Sequence, residues 1–265
     1  MSTQLRPASS LSPGERVDLF NAAYADYFIP FRLDEAALDA MTTNFDLDVD
    51  ASRVALRGGE PVGFANLGLR GDQAWIGGVG VVVPARRQGI AEALTRALHD
   101  EAAARGVTNV WLEVMEQNDA AYRLYAKLGY RIVREVEVWS LPAGPSNGSA
   151  SEVPAARAHA RVRELRRGRE PWQRADGTLQ HYDDLRGLET ETCAAVFRVS
   201  GVVRLLQIAG DDAGGLLRTL RGHGTVSVLN LPADDPAADS LRGLGATPSV
   251  RQREMVLDLQ EPPTE

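Results

Sequence analysis

The sequence predicts an α/β fold (α+β, with mixed sheets) in two similar halves, each a mostly antiparallel mixed β-sheet flanked by helices. Three observations lead to this prediction. The first half alternates strand-like and helix-like segments, an order typical of a sheet covered by helices. A stretch dominated by Ala, Gly, Pro, Ser and Asn then interrupts the pattern at residues 143–158. Beyond it, the later part of the same order returns in a weaker form, which indicates a duplication.

Two helices are predicted near the start of the chain. Ser12, Pro13 and Glu15 indicate a helix start, because a serine N-cap with glutamate three residues later is the capping-box pattern and proline is favoured at the first helical position. This helix continues to about Ala25 with apolar residues at helical spacing. A second helix is predicted at 34–43.

The rest of the first half alternates between strands and helices. Strands are indicated by alternating polarity or by short continuous apolar runs, and helices by apolar residues every three or four positions. The predicted strands are 52–57, 61–69, 74–83, 107–115 and 130–141, and the predicted helices are 90–104 and 119–128.

The chain is therefore divided into a first domain at 1–142, a linker at 143–158 and a second domain at 159–265. The linker is assigned from its composition, which is typical of connecting segments. In the second domain, the predicted strands are 196–209 (with a turn at Ser200-Gly201), 225–231 and 252–259, and the predicted helices are 211–221 and 236–244.

Composition excludes several classes of function. With 29 basic and 36 acidic residues the net charge is −7, which argues against nucleic-acid binding. No apolar run approaches the roughly 18 residues of a membrane span, and the first residues lack the apolar stretch of a secretory signal. Cys193 is the single cysteine, and the four histidines show no metal-ligand spacing. We therefore expect a cytoplasmic protein with neither a membrane segment nor a metal.

A glycine-containing turn separates the predicted strand 74–83 from the helix 90–104. Such a junction presents several unpaired backbone N–H groups in one direction, and the helix dipole adds positive potential, so the turn suits a pyrophosphate. A glycine there lets a phosphate approach the backbone closely. An ordinary connection is the alternative, since many strand–helix turns contain Gly and Arg. The turn reads Arg86-Arg87-Gln88-Gly89-Ile90-Ala91.

A second group of candidates follows from the strand 107–115 and the helix after it. Glu113 lies in a strand expected to be largely buried, and a buried carboxylate needs a partner or a raised pKa. Asn118 immediately precedes the helix. It is either an ordinary N-cap residue or a hydrogen-bond partner for a ligand. Tyr125 lies about two turns into that helix. It is either a core aromatic residue or a functional phenol.

Aromatic residues are concentrated between the first two predicted helices. They pack into a core turn or form a wall of a substrate pocket, and the sequence leaves both interpretations open. These residues are Tyr24, Tyr27, Phe28 and Phe31.

Taken together, the two motifs resemble those of the GNAT superfamily of N-acetyltransferases. The pattern Arg86-x-x-Gly89-x-Ala91 is similar to the superfamily's acetyl-CoA pyrophosphate motif. The resemblance covers residues 1–142 and implies direct acetyl transfer from acetyl-CoA to a primary amine of a small molecule or a peptide N-terminus. The second signature resembles in particular that of enzymes acetylating N-terminal amines of ribosomal proteins, and it comprises Leu112-Glu113-Val114, Asn118, Ala121, Leu124, Tyr125, Gly129 and Tyr130.

The resemblance also implies roles in cofactor binding. The backbone amides of Arg87 to Ala91, following Arg86, would hold the pyrophosphate. The strand edge at Val79-Gly80-Val81 would pair with the pantetheine arm as an added strand does. Asn118 would bond to the cofactor near its pantetheine, and Ala121 belongs to the same motif.

Two residues would carry the chemistry. The resemblance implies that Tyr125 protonates the departing thiolate and that Glu113 accepts the proton of the attacking ammonium, directly or through water. A strand-edge N–H near Val81 would polarise the acetyl oxygen. The family often has a proline three residues before the motif arginine, whereas here Pro84 lies two before Arg86.

The second domain resembles a degraded copy of the first. Asp211 and Asp212 stand where the phosphate loop should be, and two carboxylates would repel a pyrophosphate. Leu241 falls near the position of the acid tyrosine, so this half is not expected to be catalytic. Two alternatives stay open: a tandem acetyltransferase of the mycothiol-synthase type, and a non-enzymatic acetyl-CoA-binding sensor or scaffold. A homodimer paired through sheet edges is also open.

Overall fold

In the computed structural model, which describes residues 2–260, helix α1 spans Pro13–Ala23 and begins as predicted. The Ser12 hydroxyl accepts a hydrogen bond from the Glu15 N–H at 3.3 Å, and the Glu15 carboxylate accepts one from the Ser12 N–H at 2.8 Å. These reciprocal bonds satisfy two backbone N–H groups that would otherwise lack partners. The predicted capping box is therefore confirmed.

Replacing Ser12 with alanine is expected to lower the free energy of unfolding by about 1 kcal/mol, because the N-cap bond is lost. Chemical denaturation of the variant checks this value. Ser9→Ala is the matched control, since Ser9 is also exposed but caps no helix. Equal stabilities of the two variants would contradict a capping role for Ser12.

Unit 1 consists of residues 2–112, 120–131 and 255–260. Its strands follow the order β1-β2-β3-β4-β5, with antiparallel pairing except between β4 and β5, which are parallel. The predicted mixed sheet is confirmed, and only β1 escaped the sequence analysis, because this short edge strand is half exposed and lacks a clear alternation. The elements are β1 (Thr3–Pro7), α1, α2 (Glu35–Asn44), β2 (Arg53–Arg57), β3 (Glu60–Arg70), β4 (Gln73–Val81), α3 (Ile90–Ala104), β5 (Asn109–Met115) and α4 (Asp119–Lys127).

Unit 2 consists of residues 113–119 and 132–254. Its strands follow the order β6-β11-β10-β9-β8-β7, and β10 and β11 form its parallel pair. The repeated elements lie close to their predicted bounds, whereas β7, α5, α6 and β8 were not predicted. The elements are β6 (Arg131–Leu141), β7 (Ser151–Val153), α5 (Ala155–Leu165), α6 (Asp176–Leu179), β8 (Arg186–Glu189), β9 (Cys193–Ser200), β10 (Val202–Gly210), α7 (Gly214–Leu220), β11 (Val226–Pro232), α8 (Pro236–Gly243) and β12 (Thr247–Asp258).

The units divide the chain differently from the predicted boundary at 142. Strand β6 lies in unit 2 except for Arg131, and the last residues of β12, from Met255, lie in unit 1. The irregular stretch predicted as a linker at 143–158 extends only to residue 150, because Ser151–Val153 pairs with β8 and α5 starts at Ala155. Local composition does not reveal these pairings, since they depend on residues distant in sequence.

Both units repeat one sheet motif. In unit 1, β3 and β4 are antiparallel with a bulge between Asn66 and Leu67, and β4 then pairs in parallel with β5. In unit 2, β9 and β10 are antiparallel with a bulge between Leu205 and Gln207, and β10 pairs in parallel with β11. A bulge increases strand twist and bends the strand. The shared motif supports the duplication inferred from the sequence.

Buried apolar side chains fill the core of each unit. In unit 1, Phe20 and Phe64 pack between α1 and the sheet, and in unit 2 Trp139 and Phe197 are almost fully buried. Cys193 is also fully buried, and burial raises the pKa of its thiol to about 12, as expected of a small apolar core residue and not of a nucleophile. Among residues 2–260, no helix combines the length and the apolar character needed to cross a membrane.

Candidate active site

The edge of β4 in unit 1 carries unpaired backbone groups. The Val82 N–H donates to the Val62 carbonyl at 3.0 Å, and because antiparallel pairing alternates from residue to residue, Val79 and Val81 direct their backbone groups away from β3. Within the described chain, β4 pairs with β5 only from Gln73 to Trp75, so this edge lies beyond the paired part. The predicted strand edge at Val79-Gly80-Val81 therefore exists as a row of backbone groups directed away from β3, although the Val81 carbonyl already accepts a hydrogen bond from Arg86. The Val79 groups and the Val81 N–H can pair with an extended ligand.

The turn after β4 leads into the N-terminus of α3. Gly89 is the N-cap residue, has φ of 77°, and supplies no side-chain cap, so the first N–H groups of the helix have no side-chain acceptor. Arg87, at φ of 61°, and Gln88 are exposed with Gly89, whereas Ile90 is buried beneath the turn. An atom at the Cβ position of Gly89 would find nothing within 4 Å. Ala91 is half-buried. This open, amide-rich surface is suited to an anion.

The Arg86 side chain holds this turn in place. Its guanidinium group donates to both carboxylate oxygens of Asp26 at 2.7 Å and to the backbone carbonyls of Ala23 at 3.0 Å and Val81 at 2.9 Å. The hydrogen bond to Arg86 lowers the pKa of Asp26 and keeps it charged. Arg86 thereby connects the turn to the end of α1. Because its side chain is engaged in these bonds, Arg86 can contact a ligand only through its backbone.

Tyr125 on α4 is buried, with 7% of its surface exposed, and its ring meets that of Tyr130 edge to face at 5.7 Å. Burial raises the pKa of the Tyr125 hydroxyl well above its usual value, and the nearby Tyr27 phenol raises it further. The group is therefore fully protonated at neutral pH. Tyr125 can donate a proton there but cannot act as a base.

The aromatic residues after α1 form a continuous cluster. Tyr24 stacks on Phe20 at 4.6 Å and lies 4.6 Å from the ring of Tyr27, and its hydroxyl lies 3.3 Å from the position that a Cβ on Gly78 would occupy. Burial raises the pKa of Tyr24, and Tyr27 and Tyr125 contribute to that rise, so the three phenols lie near one another.

Phe28 and Phe31 extend this cluster to the surface. Their exposed fractions are 52% and 41%. Phe31 touches Phe20 edge to face at 5.4 Å, and Phe28 touches Tyr27 at 5.3 Å. The cluster therefore has a buried side that belongs to the core and an exposed apolar side.

His99 on α3 lies against Tyr130 and is not an exposed surface residue. It is half-buried on α3 and shares a hydrogen bond of 2.9 Å with the Tyr130 hydroxyl. Burial, with a smaller contribution from Arg96, lowers the pKa of His99 to about 4. The residue is placed on the inner face of α3 by a partner 31 positions away, which local sequence could not reveal.

The depressed pKa of His99 makes stability depend on pH. The unfolded chain takes up a proton near pH 6.5 and the folded chain near pH 4, so the free energy of unfolding should fall as the pH drops from about 6.5 to about 4. Since the ring is only half-buried, we expect a loss on the order of 1–2 kcal/mol. Denaturation across this range should show a shallower slope for His99→Gln, and an unchanged slope would contradict the assignment.

Glu113 and Asn118 belong to unit 2. Glu113 is half-buried on β5, and its carboxylate accepts a hydrogen bond from the Gln173 side chain at 3.1 Å. Asn118 directly precedes α4, and its N–H donates to the Met115 carbonyl at 2.9 Å. Ala121 lies in the first turn of α4 and is half-buried. Each lies on the element predicted for it.

The corresponding turn of unit 2 carries two exposed carboxylates, Asp211 and Asp212. Asp212 accepts a hydrogen bond from the Gly214 N–H at 3.1 Å, and Asp211 forms an exposed ion pair with Arg167. Leu241 is fully buried in the apolar core. Trp172 is buried, with 3% of its surface exposed. This turn of unit 2 therefore carries two carboxylates, whereas residues 86–91 of unit 1 carry none.

Three partners of the candidate residues escaped the sequence analysis. Asp26 anchors Arg86, Gln173 binds Glu113, and Tyr130 packs on Tyr125. Only Tyr130 carried a signal, as the aromatic residue that closes the second motif. Asp26 and Gln173 lie 60 positions from their partners, where no spacing rule applies.

Comparison with known proteins finds relatives of similar sequence and of similar fold. Residues 17–130 match the acetyltransferase (GNAT) family. A curated relative, the [ribosomal protein bS18]-alanine N-acetyltransferase of Escherichia coli K12, is 42% identical over 59 residues, which are 22% of this chain and 40% of that protein. The chain thus spans about two-fifths of the length of the curated relatives it matches.

Two solved structures share the fold over nearly the whole chain. The GCN5-related N-acetyltransferase from Sphaerobacter thermophilus has a TM-score of 0.72 at 17% identity, covering 99% of this chain and 97% of that one. A tandem GNAT protein from the clavulanic acid biosynthesis pathway has a TM-score of 0.65 at 15% identity, covering 98% and 100%. A sequence match to the acetyltransferase (GNAT) family at residues 17–130 and a fold shared over nearly the whole chain are thus what this protein has in common with these acetyltransferases.

Proposed function

We propose that this protein is an N-acetyltransferase that moves the acetyl group of acetyl-CoA directly to a primary amine. The observation that carries the proposal is the arrangement in unit 1. There the open edge of β4, the uncapped start of α3 and the protonated phenol of Tyr125 belong to one folded unit. Unit 2 lacks an equivalent phenol and anion site.

Acetyl-CoA fits the residues of unit 1 by their chemistry. An extended arm with amide groups matches Val79 and Val81, whose backbone groups point away from β3. A pyrophosphate matches the backbone amides from Arg87 to Ala91, where Gly89 leaves open space above the backbone. Asn118 and Ala121, carried over from the motif, are proposed as further contacts. Acetyl-CoA supplies a thioester, whose acyl carbon accepts an amine nitrogen.

Tyr125 is proposed as the proton donor to the sulfur. As the C–N bond forms and the C–S bond breaks, the leaving thiolate needs a proton, and a buried phenol with a raised pKa holds one at neutral pH. The Val81 N–H, aimed away from β3, would stabilise negative charge on the acyl oxygen.

Glu113 is proposed as the group that accepts the proton of the ammonium, directly or through water. An amine is mostly protonated near neutral pH and becomes a nucleophile only after losing a proton. The hydrogen bond from Gln173 fixes the orientation of the Glu113 carboxylate within unit 2.

The acceptor is proposed to contact the exposed side of the aromatic cluster, at Phe28 and Phe31, next to the half-buried Tyr27. Apolar surface there favours an amine with an apolar substituent. The 42% identity to an enzyme acting on a ribosomal-protein alanine supports a peptide N-terminus as one candidate. A cytoplasmic location is part of the proposal, since a chain with one cysteine carries no internal disulfide that an oxidising compartment would form.

Titration calorimetry of acetyl-CoA, followed by thiol-release assays with a panel of small amines and N-terminal peptides, tests the proposal. We expect one acetyl-CoA site per chain and amine-dependent release of thiol. Two sites would show that unit 2 also binds the donor, and no binding would refute the proposal.

A further inference from the structure

Unit 2 contains a cavity of about 300 Å³ that the acetyltransferase proposal does not use. Strands β10 and β11 pair only from Val203 to Leu205 and from Val226 to Val228. The cavity opens where they have diverged, between the end of β10 at 208–210 and the start of α8 at 234–236. Its volume lies at the lower end of the range for small-molecule sites.

One wall of the cavity is a segment that we call the arginine strap, residues 165–170. Arg166 binds the carboxylate of Asp176 at 3.0 and 3.2 Å, and Arg169 pairs with the buried Glu254. Arg134 also pairs with Glu254, at 2.6 Å, and donates to the Arg169 carbonyl at 2.7 Å. These bonds hold the strap in place, so the cavity is preformed.

The two walls of the cavity carry opposite charge. The strap contributes three arginines, and each already has a carboxylate partner: Arg166 pairs with Asp176, Arg167 with Asp211 and Arg169 with Glu254. This wall therefore offers a ligand the N–H groups that these pairs leave unused. Its one glutamate, Glu170, is paired with the buried Arg174 at 2.9 Å. The facing wall contributes Asp234 and Asp235, and neither forms an ion pair with any residue between 2 and 260. Burial raises the pKa of the Asp235 carboxyl group, which means that its charged form would gain from a cation beside it.

Arg174 is a buried arginine next to the cavity, where it pairs with the lining residue Glu170. It is 1% exposed and interacts with two of the lining carboxylates. Glu170 forms an ion pair with it, and its positive charge lowers the pKa of Asp235, against the larger effect of burial. Two of its guanidinium nitrogens, Nη1 and Nη2, have no hydrogen-bond acceptor within the described residues. Buried donors without acceptors are costly, but both nitrogens are enclosed and Arg174 does not line the cavity, so a ligand in the cavity acts on Arg174 only through Glu170 and Asp235.

We propose that unit 2 binds a small zwitterion of about amino-acid size in this cavity, with its carboxylate toward the arginine strap and its ammonium toward Asp234 and Asp235. A molecule that carries both charges matches both walls, whereas a simple anion or a simple amine matches only one. The site is independent of the catalytic role proposed for unit 1. It gives the degraded half of the chain a binding function of its own.

Thermal melting of the full-length protein with the twenty common amino acids tests the proposal, and calorimetry then measures any compound that raises the melting temperature. Matched N-acetyl derivatives remove the ammonium charge, and matched amides remove the carboxylate. We expect a saturable rise of several degrees with at least one free amino acid. Each derivative should bind at least about tenfold more weakly.

Two variants locate the site. Asp234→Asn and Arg167→Gln each remove one exposed charge of the cavity, and both should weaken binding of the selected amino acid about tenfold. Asp239→Asn, on the outer face of α8, is the control and should bind normally. Unchanged binding in Asp234→Asn would place the ligand elsewhere and overturn the proposal. Equal binding of the N-acetyl derivative or of inorganic phosphate would reveal an anion site only, and no binding would exclude any site for an amino acid.

Discussion

Replacing Tyr125 with phenylalanine is expected to lower kcat by about 10²–10³-fold and to leave the Kd for acetyl-CoA unchanged. The hydroxyl is the only group that the substitution removes, and in the folded protein its raised pKa keeps it protonated. The ring stays in place, so its packing against Tyr130 should persist. Steady-state kinetics with the best acceptor, together with titration of acetyl-CoA, provides both numbers.

Tyr130→Phe is the matched control. Tyr130 is also a buried tyrosine, but its hydroxyl is engaged with His99. Loss of that bond should cost about 1 kcal/mol of stability and leave kcat within a few-fold of the original. If both variants kept full activity, Tyr125 would not be the acid. If the unaltered protein bound acetyl-CoA but showed no turnover with any acceptor, and Tyr125→Phe bound acetyl-CoA with the same Kd, the sensor interpretation would be favoured.

Replacing Gly89 with valine is expected to weaken acetyl-CoA binding about 10- to 100-fold. Gly89 has φ of 77° and open space on its side-chain face, so a branched side chain would stand where the phosphates are proposed to approach the backbone. The strained backbone should also lower stability by about 1–2 kcal/mol. Titration of acetyl-CoA measures the first effect and denaturation the second.

Gly106→Val separates these two effects. Gly106 follows the other end of α3, has φ of 76°, and likewise has nothing within 4 Å of a Cβ position. The variant should therefore lose similar stability and bind acetyl-CoA normally. Equal loss of affinity in both variants would mean that strain, and not a blocked phosphate site, explains the effect of Gly89→Val.

Much of the local structure could be predicted from the sequence because local interactions decide it. The capping box at Ser12 and Glu15 depends on contacts three residues apart, and the bounds of α3 follow from Gly89, Gly106 and a stripe of apolar residues between them. The elements that were missed include β7, a three-residue edge strand, and β8, a four-residue strand between β7 and β9. Their pairing partners, and not their own patterns, make them strands.

In the candidate site, too, the features set by neighbouring residues could be predicted and those set by distant contacts could not. The order of motifs placed Gly89 and Tyr125 on the right elements, since a strand, a turn and a helix follow directly from their own residues. The clamp of Arg86 on Asp26 and the partner of Glu113 could not be predicted, because each joins segments 60 residues apart. Arg86 illustrates the difference, for its backbone position follows from the motif but its side-chain role does not.

The sequence by itself determined the repeated order of elements, the glycine turn and the positions of the residues that resemble the GNAT motifs. Only the tertiary structure decided which of them are buried, how Tyr125 keeps its proton, where the units divide, and that unit 2 holds a cavity with opposite charges on its two walls. The reason is physical. Periodicity and turn chemistry act over a few residues, whereas desolvation and ion pairing depend on groups brought together by the fold.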